Sequence, residues 1–229
     1  MNRPLRINRR QFSAATLGLC LPGLALAAPS EADAASGVRA ALERGALAAV
    51  ALLGRPDGFL GNPQVRITLP GALNDASRLL RAAGQGKRLD ELITAMNRAA
   101  EAAVPAARQL FVDTVRSLSV EDALQLVRNR SSTAVTEFFA GKTRAPLGDR
   151  FLPIVAKATE KVELAERYNR VAGRAASMGL VRADQADVQQ HVTTKALDGL
   201  FFMIGEEEKK IRADPLKTGS AILRRVFGG

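Results

Sequence analysis

The stretch Leu89-Asp-Glu-Leu-Ile-Thr-Ala-Met-Asn-Arg-Ala-Ala-Glu-Ala-Ala-Val-Pro-Ala-Ala-Arg-Gln-Leu-Phe-Val-Asp-Thr-Val-Arg-Ser-Leu118 decides the fold. Leu89, Leu92, Ile93, Met96, Ala100, Ala103, Ala107, Leu110, Phe111 and Thr114 share one face at 3.6 residues per turn, the signature of an amphipathic helix. Pro105 lacks an N–H and clashes with the preceding turn, so a kink or a break into two helices is expected there. Three- and four-residue spacing of apolar positions continues from about residue 37 to 226.

Upstream, a first helix is expected from about Ala35 to Leu53, stopping at Gly54, and a second over about 71–83, ending near Gly84 and Gly86. Residues 54–71 between them are the least helical part of the chain. Pro56, Asp57-Gly58 and Asn62-Pro63 signal turns, and Gln64 to Leu69 alternates as a short strand or extended arm would. Downstream, Ser119-Val-Glu-Asp122 reads as a capping box opening a helix to about Val127. Further helices are expected at about 132–141, 146–162 (with Pro153 kinking it or marking its start), 163–178 ending at Gly179, 183–190 and 193–212. Asp214-Pro215 caps a last helix to about Val226. The expected architecture is all-α: a single bundle-like domain over 38–228 of about nine or ten helices, with one irregular segment near 54–70.

The first residues read differently. Arg3, Arg6, Arg9 and Arg10 precede an apolar stretch, Phe12 to Leu26, that ends in Ala25-Leu26-Ala27. That is a secretory signal with cleavage expected near Ala27, followed by a short flexible N-terminus over 28–37. The apolar run is interrupted by Ser13, Thr16, Gly18 and Gly23 and falls short of the about 20 residues a membrane span needs. Asn8-Arg9-Arg10-Gln11-Phe12 resembles a twin-arginine motif, which predicts export of a folded chain to the periplasm. Cys20 follows the large Leu19, unlike the small residue a lipoprotein signal places there.

Composition closes several chemistries. Removing 27 of 229 residues leaves 202, with 29 basic and 23 acidic side chains and a charge near +6. The signs are mixed and Trp is absent, which does not favour a nucleic-acid partner. The one Cys lies in the signal and the one His is His191, so a thiolate or multi-histidine zinc site is not available within one chain. No Gly-x-Ser-x-Gly elbow and no glycine-rich phosphate loop occur. No cofactor or metal is therefore expected, although carboxylate chemistry and non-covalent binding stay open.

Three regions offer candidates. Asn97 and Glu101 lie one turn apart on the flank of the apolar stripe, with Arg108 projecting to the same side. They read as a polar pocket or, more economically, as a half-buried hydrogen-bond network. On the helix near 193–212, Glu207 and Glu208 fall close to the centre of the apolar face, with Glu208–Arg212 and Glu206–Lys210 as expected pairs. A buried carboxylate must be paired, hydrogen-bonded or protonated, so these acids read as carboxylates inside a pocket or, more economically, as surface ion pairs where the helix emerges into solvent. The 54–70 loop contributes Asp57 and Asn62, with Phe59 and Leu60 as core plugs. Tyr168 and Asn169 are lesser candidates, and His191 reads as an ordinary helix-terminus residue.

Four motifs then point to a family. Gly54-Arg-Pro-Asp-Gly-Phe-Leu-Gly-Asn-Pro63, Met96-Asn-Arg-Ala-Ala-Glu-Ala-Ala-Val-Pro105, Val192-Thr-Thr-Lys-Ala-Leu-Asp-Gly-Leu-Phe201 and Glu206-Glu-Glu-Lys-Lys-Ile-Arg-Ala-Asp-Pro215 together resemble the bacterial domain-of-unknown-function family 4197, over about 38–228. The resemblance implies an exported, all-helical protein of Gram-negative bacteria and brings no activity with it. Its motifs contain Asp57, Asn62, Asn97, Glu101, Lys195, Asp198 and Glu208. The leading expectation is a non-enzymatic binding or interaction protein with a partly polar helical crevice, taking a small amphiphile or an envelope protein. The alternatives are a hydrolase or lyase using Glu101 and Glu208, and a structural partner of an envelope complex.

Overall fold

In the computed structural model, which describes residues 31–129, 131–160, 162–179, 182 and 186–214, every regular element is helical. Helix α1 (Glu31–Leu53) is followed by the irregular 54–70 segment and by α2 (Gly71–Leu80). A π-type turn over Arg81–Gln85, with Gly84 at φ +79°, swings the chain into α3 (Gly86–Ala103). Pro105 sits in a single 3₁₀ turn, Val104–Ala106, that separates α3 from α4 (Ala107–Arg116), so the expected break is present. Next comes α5 (Val120–Arg128), opened by Ser119, whose hydroxyl accepts from the Asp122 N–H. The remaining helices are α6 (Ala134–Thr159), α7 (Glu163–Ser177) and α8 (Val188–Ala213).

Helix α6 corrects the sequence reading, which divided it into 132–141 and 146–162. It runs unbroken through Pro146 and Pro153. Phe139, Thr143, Leu147, Phe151, Val155 and Thr159, each four residues from the last, are all buried along it. Both prolines lie on the exposed side, where the carbonyls they leave unbonded face water. Tertiary burial of a six-position stripe outweighs the local cost of proline, about 3 kcal/mol apiece in a helix interior.

The expected helix at 183–190 is also revised. Residues 188–190 form the first turn of α8, while 183–185 lie outside the described residues. The expected last helix, after Asp214-Pro215, and the signal segment lie outside them as well. The stretch Gln64 to Leu69, expected as a strand or extended arm, begins instead in a turn over 63–65 closed by Arg66 N–H on the Asn62 carbonyl. Residues 66–70 form an arm without regular structure and with no strand beside it among the described residues.

Helix α8 is the centre of the bundle. It packs against α6, α1 and α3, while α1 is flanked on its other sides by α4 and α5. Val192, Ala196, Leu200, Met203 and Ile204 are buried along one side of α8, and Leu197 and Phe201 on the adjacent side. Phe111 of α4 joins Phe139 of α6 and Phe201 of α8, with ring centroids 5.6 and 6.2 Å apart, in the tilted and edge-on geometries that aromatic pairs favour.

One glycine permits the close approach of the 54–70 segment to this central helix. A Cβ on Gly199 would stand 2.8 Å from Phe59 Cε1 and 3.2 Å from Val65 Cβ. Gly199→Ala is therefore expected to cost about 1–3 kcal/mol through forced movement of a fully buried Phe. Gly141→Ala, on the open side of α6 with nothing within 4 Å, is expected to gain about 0.5–1 kcal/mol. Denaturant midpoints for the two variants check the contrast.

Candidate functional site

Turn hydrogen bonds hold residues 55–66 locally, and α3 supplies acceptors for the N–H groups they leave over. Gly58 passes so close to the end of α1 that a Cβ would meet the Leu53 carbonyl oxygen at 2.5 Å. Asp57 just before it adopts φ +64°, a left-handed conformation that Asp tolerates better than most residues. Beyond this corner the Phe59 ring is wholly buried, and the N–H groups of Phe59 and Leu60 both donate to Glu101 Oε1, at 3.0 and 3.1 Å. The other oxygen, Oε2, accepts from the Arg98 guanidinium at 2.7 Å, which also reaches Asp57 Oδ1 at 2.9 Å. The two carboxylates hold the Arg98 guanidinium above its ordinary pKa, with the Glu101 bond as the larger cause.

Asn97 does the same for the arm. Its Oδ1 accepts from Ile67 N–H at 2.8 Å, and its Nδ2 donates to Ile67 O at 2.9 Å and to Ile93 O at 2.8 Å. A fully buried amide thus satisfies both backbone groups of one extended residue, as a neighbouring strand would. Asn62 acts locally, its Oδ1 accepting from Gln64 N–H at 3.1 Å in an Asx turn. Arg108, read as projecting to the flank of Asn97 and Glu101, is exposed on α4 instead. The 3₁₀ turn at Pro105 rotates everything after it.

Glu208 is the second buried carboxylate. Its Oε2 accepts from the Thr136 N–H (2.9 Å) and hydroxyl (2.8 Å), and its Oε1 from Val135 N–H (3.2 Å) and Arg212 Nε (2.9 Å). Those N–H groups are orphan donors of the first turn of α6, whose own N-cap residue, Thr133, makes no side-chain cap. Glu208 therefore caps α6 from 72 residues away, where a negative charge also suits the helix dipole. The pairing with Arg212 is as expected. The Glu206–Lys210 pair is not: Glu206 meets Lys209 at 2.7 Å and half-buried Glu207 meets Lys210 at 2.6 Å. Three-residue spacing wins because Lys210 is drawn to Glu207, the acid one step nearer the apolar face.

The polar residues near the start of α8 serve as caps as well. Asn169 Oδ1 accepts from Val188 N–H at 2.8 Å and Asp187 Oδ1 from Gln190 N–H at 2.9 Å. Tyr168 is mostly buried, and desolvation pushes its phenol above the usual range. His191 Nε2 lies 3.0 Å from the Thr68 carbonyl oxygen, a bond made in the tautomer protonated at Nε2. It joins the arm to α8.

Between the arm and α8 a groove of about 420 Å³ opens, walled by residues 64–68 on one side and Lys195, Asp198, Gly199 and Phe202 on the other. Asp198 pairs with Arg144 at 2.9 Å and with Lys195 at 3.4 Å, and Arg144 lies over the Phe201 ring. Phe202 is 41 % exposed. Of the sequence candidates the groove gathers only Lys195 and Asp198. No site motif in the sequence marks Arg66, Arg144, Gly199 or Phe202, although Gly199 and Phe202 sit within about one turn of Asp198 on the same helix. Glu208 and Arg212 line a different void, between α1, α6 and α8, of about 20 Å³, room for about one water. Glu101 and Glu208 serve different elements and share no hydrogen-bond partner. Among the described residues no three His, Cys, Asp or Glu side chains converge as metal ligands would, and no helix is long and apolar enough to cross a membrane.

Fold and site define a class: an all-helical domain in which an extended arm is clamped across the central helices beside an open groove. The chain belongs to the family described as "Protein of unknown function (DUF4197)", whose model matches residues 28–228. No curated protein and no solved structure matches it.

Asn97→Asp tests the clamp with almost no change of shape. The introduced carboxylate keeps one acceptor for Ile67 N–H but turns its second oxygen toward the Ile67 and Ile93 carbonyls, with no proton to offer. The expected loss is about 2–4 kcal/mol at neutral pH, since two buried acceptors and a charge go uncompensated. Burial among acceptors raises the folded-state pKa of that carboxyl, so the penalty shrinks as pH falls through it. Urea unfolding of the variant at pH 7 and pH 5 measures both effects. In a separate variant, Glu208→Ala should cost about 2–3 kcal/mol by uncapping α6 and leaving Arg212 without its carboxylate.

Proposed function

We propose that this is a non-enzymatic binding protein of the bacterial periplasm, whose ligand lies in the groove between the arm and α8. The observation that carries the reading is the groove itself. It is open, large enough for a small molecule or a few residues of chain, and lined by a lysine, an aspartate, an exposed aromatic ring and exposed backbone. The two buried carboxylates support a binding role over a catalytic one, because backbone N–H groups and arginines already occupy them. Among the described residues the large exposed apolar side chains Leu79, Val120, Met178 and Phe202 lie on α2, on α5, just after α7 and on α8, and singly exposed residues of that kind are ordinary.

Export rests on the N-terminal signal. Replacing Arg9 and Arg10 together by Lys is expected to leave unprocessed precursor in the cytoplasm, whereas the wild-type periplasmic form should begin at Ala28. Cell fractionation with N-terminal sequencing decides it, and unimpaired export of the double variant would rule out the twin-arginine route.

The binding reading is tested by native mass spectrometry of protein purified gently from its own periplasm. Excess mass is expected on the wild-type chain and should be lost when Lys195→Glu and Phe202→Asp, both at exposed positions, are combined. A bare mass for the wild type, or excess mass that survives those changes, overturns it.

A further inference from the structure

The arm carries the pattern of a strand without a strand for company. Val65, Ile67 and Leu69 are buried, while Gln64, Arg66 and Thr68 between them are exposed. In an extended chain the N–H and C=O of one residue point to the same edge, and those of its neighbours to the other. Asn97 of α3 takes both groups of Ile67, and a trans peptide points its C=O and N–H to opposite sides, so Arg66 C=O and Thr68 N–H point away from α3, on the side where His191 of α8 meets Thr68 O. Arg66 N–H closes the preceding turn on the Asn62 carbonyl at 2.9 Å, and Thr68 C=O is taken by His191. Two groups remain without a hydrogen bond among the described residues: Arg66 C=O and Thr68 N–H, one on each side of Ile67.

That leftover set has a defined complement. A residue paired in parallel donates its N–H to the carbonyl preceding its opposite number and accepts at its C=O from the N–H that follows. Charge adds a second constraint. Arg66, Lys195 and Arg144 outnumber the Asp198 carboxylate at the groove, while Asp90, the other acid within electrostatic reach of Arg66, is already paired with Arg81, and the exposed Phe202 ring offers an apolar seat.

We infer that the groove takes an extended, acidic peptide segment, one residue of which pairs in parallel with the arm across Ile67. Its carboxylates lie toward Arg66 and Lys195, and an apolar side chain rests on Phe202. Strand addition at an open backbone edge is a general mode of peptide capture, with main-chain bonds giving affinity and side-chain seats giving selectivity. This inference rests on the groove reading above and goes further by naming what fills it.

The test is an NMR titration of the purified protein with five probes. They are the acetylated, amidated peptide Glu-Val-Glu-Leu-Glu-Val-Glu, the same peptide with Lys for every Glu, two N-methylated forms (one methylated at all apolar residues, one at all Glu residues), and decanoate. The acidic peptide should shift the amides of Thr68, Gly199 and Phe202, and the lysine peptide should bind at least about tenfold more weakly. One N-methylated form should lose about three- to tenfold in affinity, the worth of one hydrogen bond, while the other binds as before. Thr68→Pro removes an N–H with no partner in the fold, so it should leave Tm unchanged and weaken the peptide by a similar factor. If Thr68→Pro does not fold, the N-methylated peptides decide alone. Equal binding of both N-methylated forms and the parent, or shifts away from the groove, overturns the pairing. If decanoate shifts the groove amides and the peptide does not, the peptide inference falls while the binding groove stands. If no probe shifts them and the periplasmic protein has a bare mass, both readings fall together.

Discussion

Two side chains one turn apart on α3 replace a whole missing strand. Without Asn97 and Glu101, the N–H groups of Phe59, Leu60 and Ile67 would be pressed against a helical bundle with nothing to accept them, at a cost of about 1–3 kcal/mol for each group that is buried. With them, an irregular segment lies flat over the core and Phe59 reaches its centre. The position of the arm, the width of the groove beside it and the exposed edge of Arg66 and Thr68 all follow from that clamp. Arg98 extends it outward by tying Glu101 to Asp57 at the left-handed corner of the loop.

The same logic recurs at the other end of α8. Glu208 is a carboxylate buried on a helix face, normally an expensive arrangement, and the first turn of α6 is a set of N–H groups in want of an acceptor. Each solves the other's problem. Helices α6 and α8 are thereby registered by hydrogen bonds in addition to apolar packing, which by itself is tolerant of sliding. The acids that look most enzyme-like on a helical wheel are thus the joints of the fold, and the groove is built from residues with less conspicuous chemistry.

How much of this was legible in the sequence depends on the distance over which each feature is decided. Helix α1 and the break at Pro105 are governed by neighbours within a turn, and both were readable to within a few residues. The flanking positions of Asn97 and Glu101, and a hydrogen-bonded role for them, were readable too. Their partners were not, because Ile67 and Phe59 are 30 and 42 residues away and no periodicity encodes the meeting. Pro146 and Pro153 misled for the opposite reason. A local stop signal was overruled by the stripe from Phe139 to Thr159, present in the sequence at four-residue spacing but of decisive weight only once α8 lies against it. The groove was the least visible feature, since its walls include backbone groups that no side-chain pattern announces.

The central place of α8 also sets a timetable for biosynthesis. Helices α1, α3 and α6 emerge from the ribosome with the surfaces meant for α8 still uncovered, and the last of the eight described helices to be made is the one that fills the middle. Helix α6 meanwhile carries two prolines and lacks the carboxylate that caps its first turn, so it has little reason to be helical by itself. Packing around α8 therefore waits until most of the chain has been synthesised. Until that moment the nascent chain presents its apolar faces to whatever chaperone is at hand.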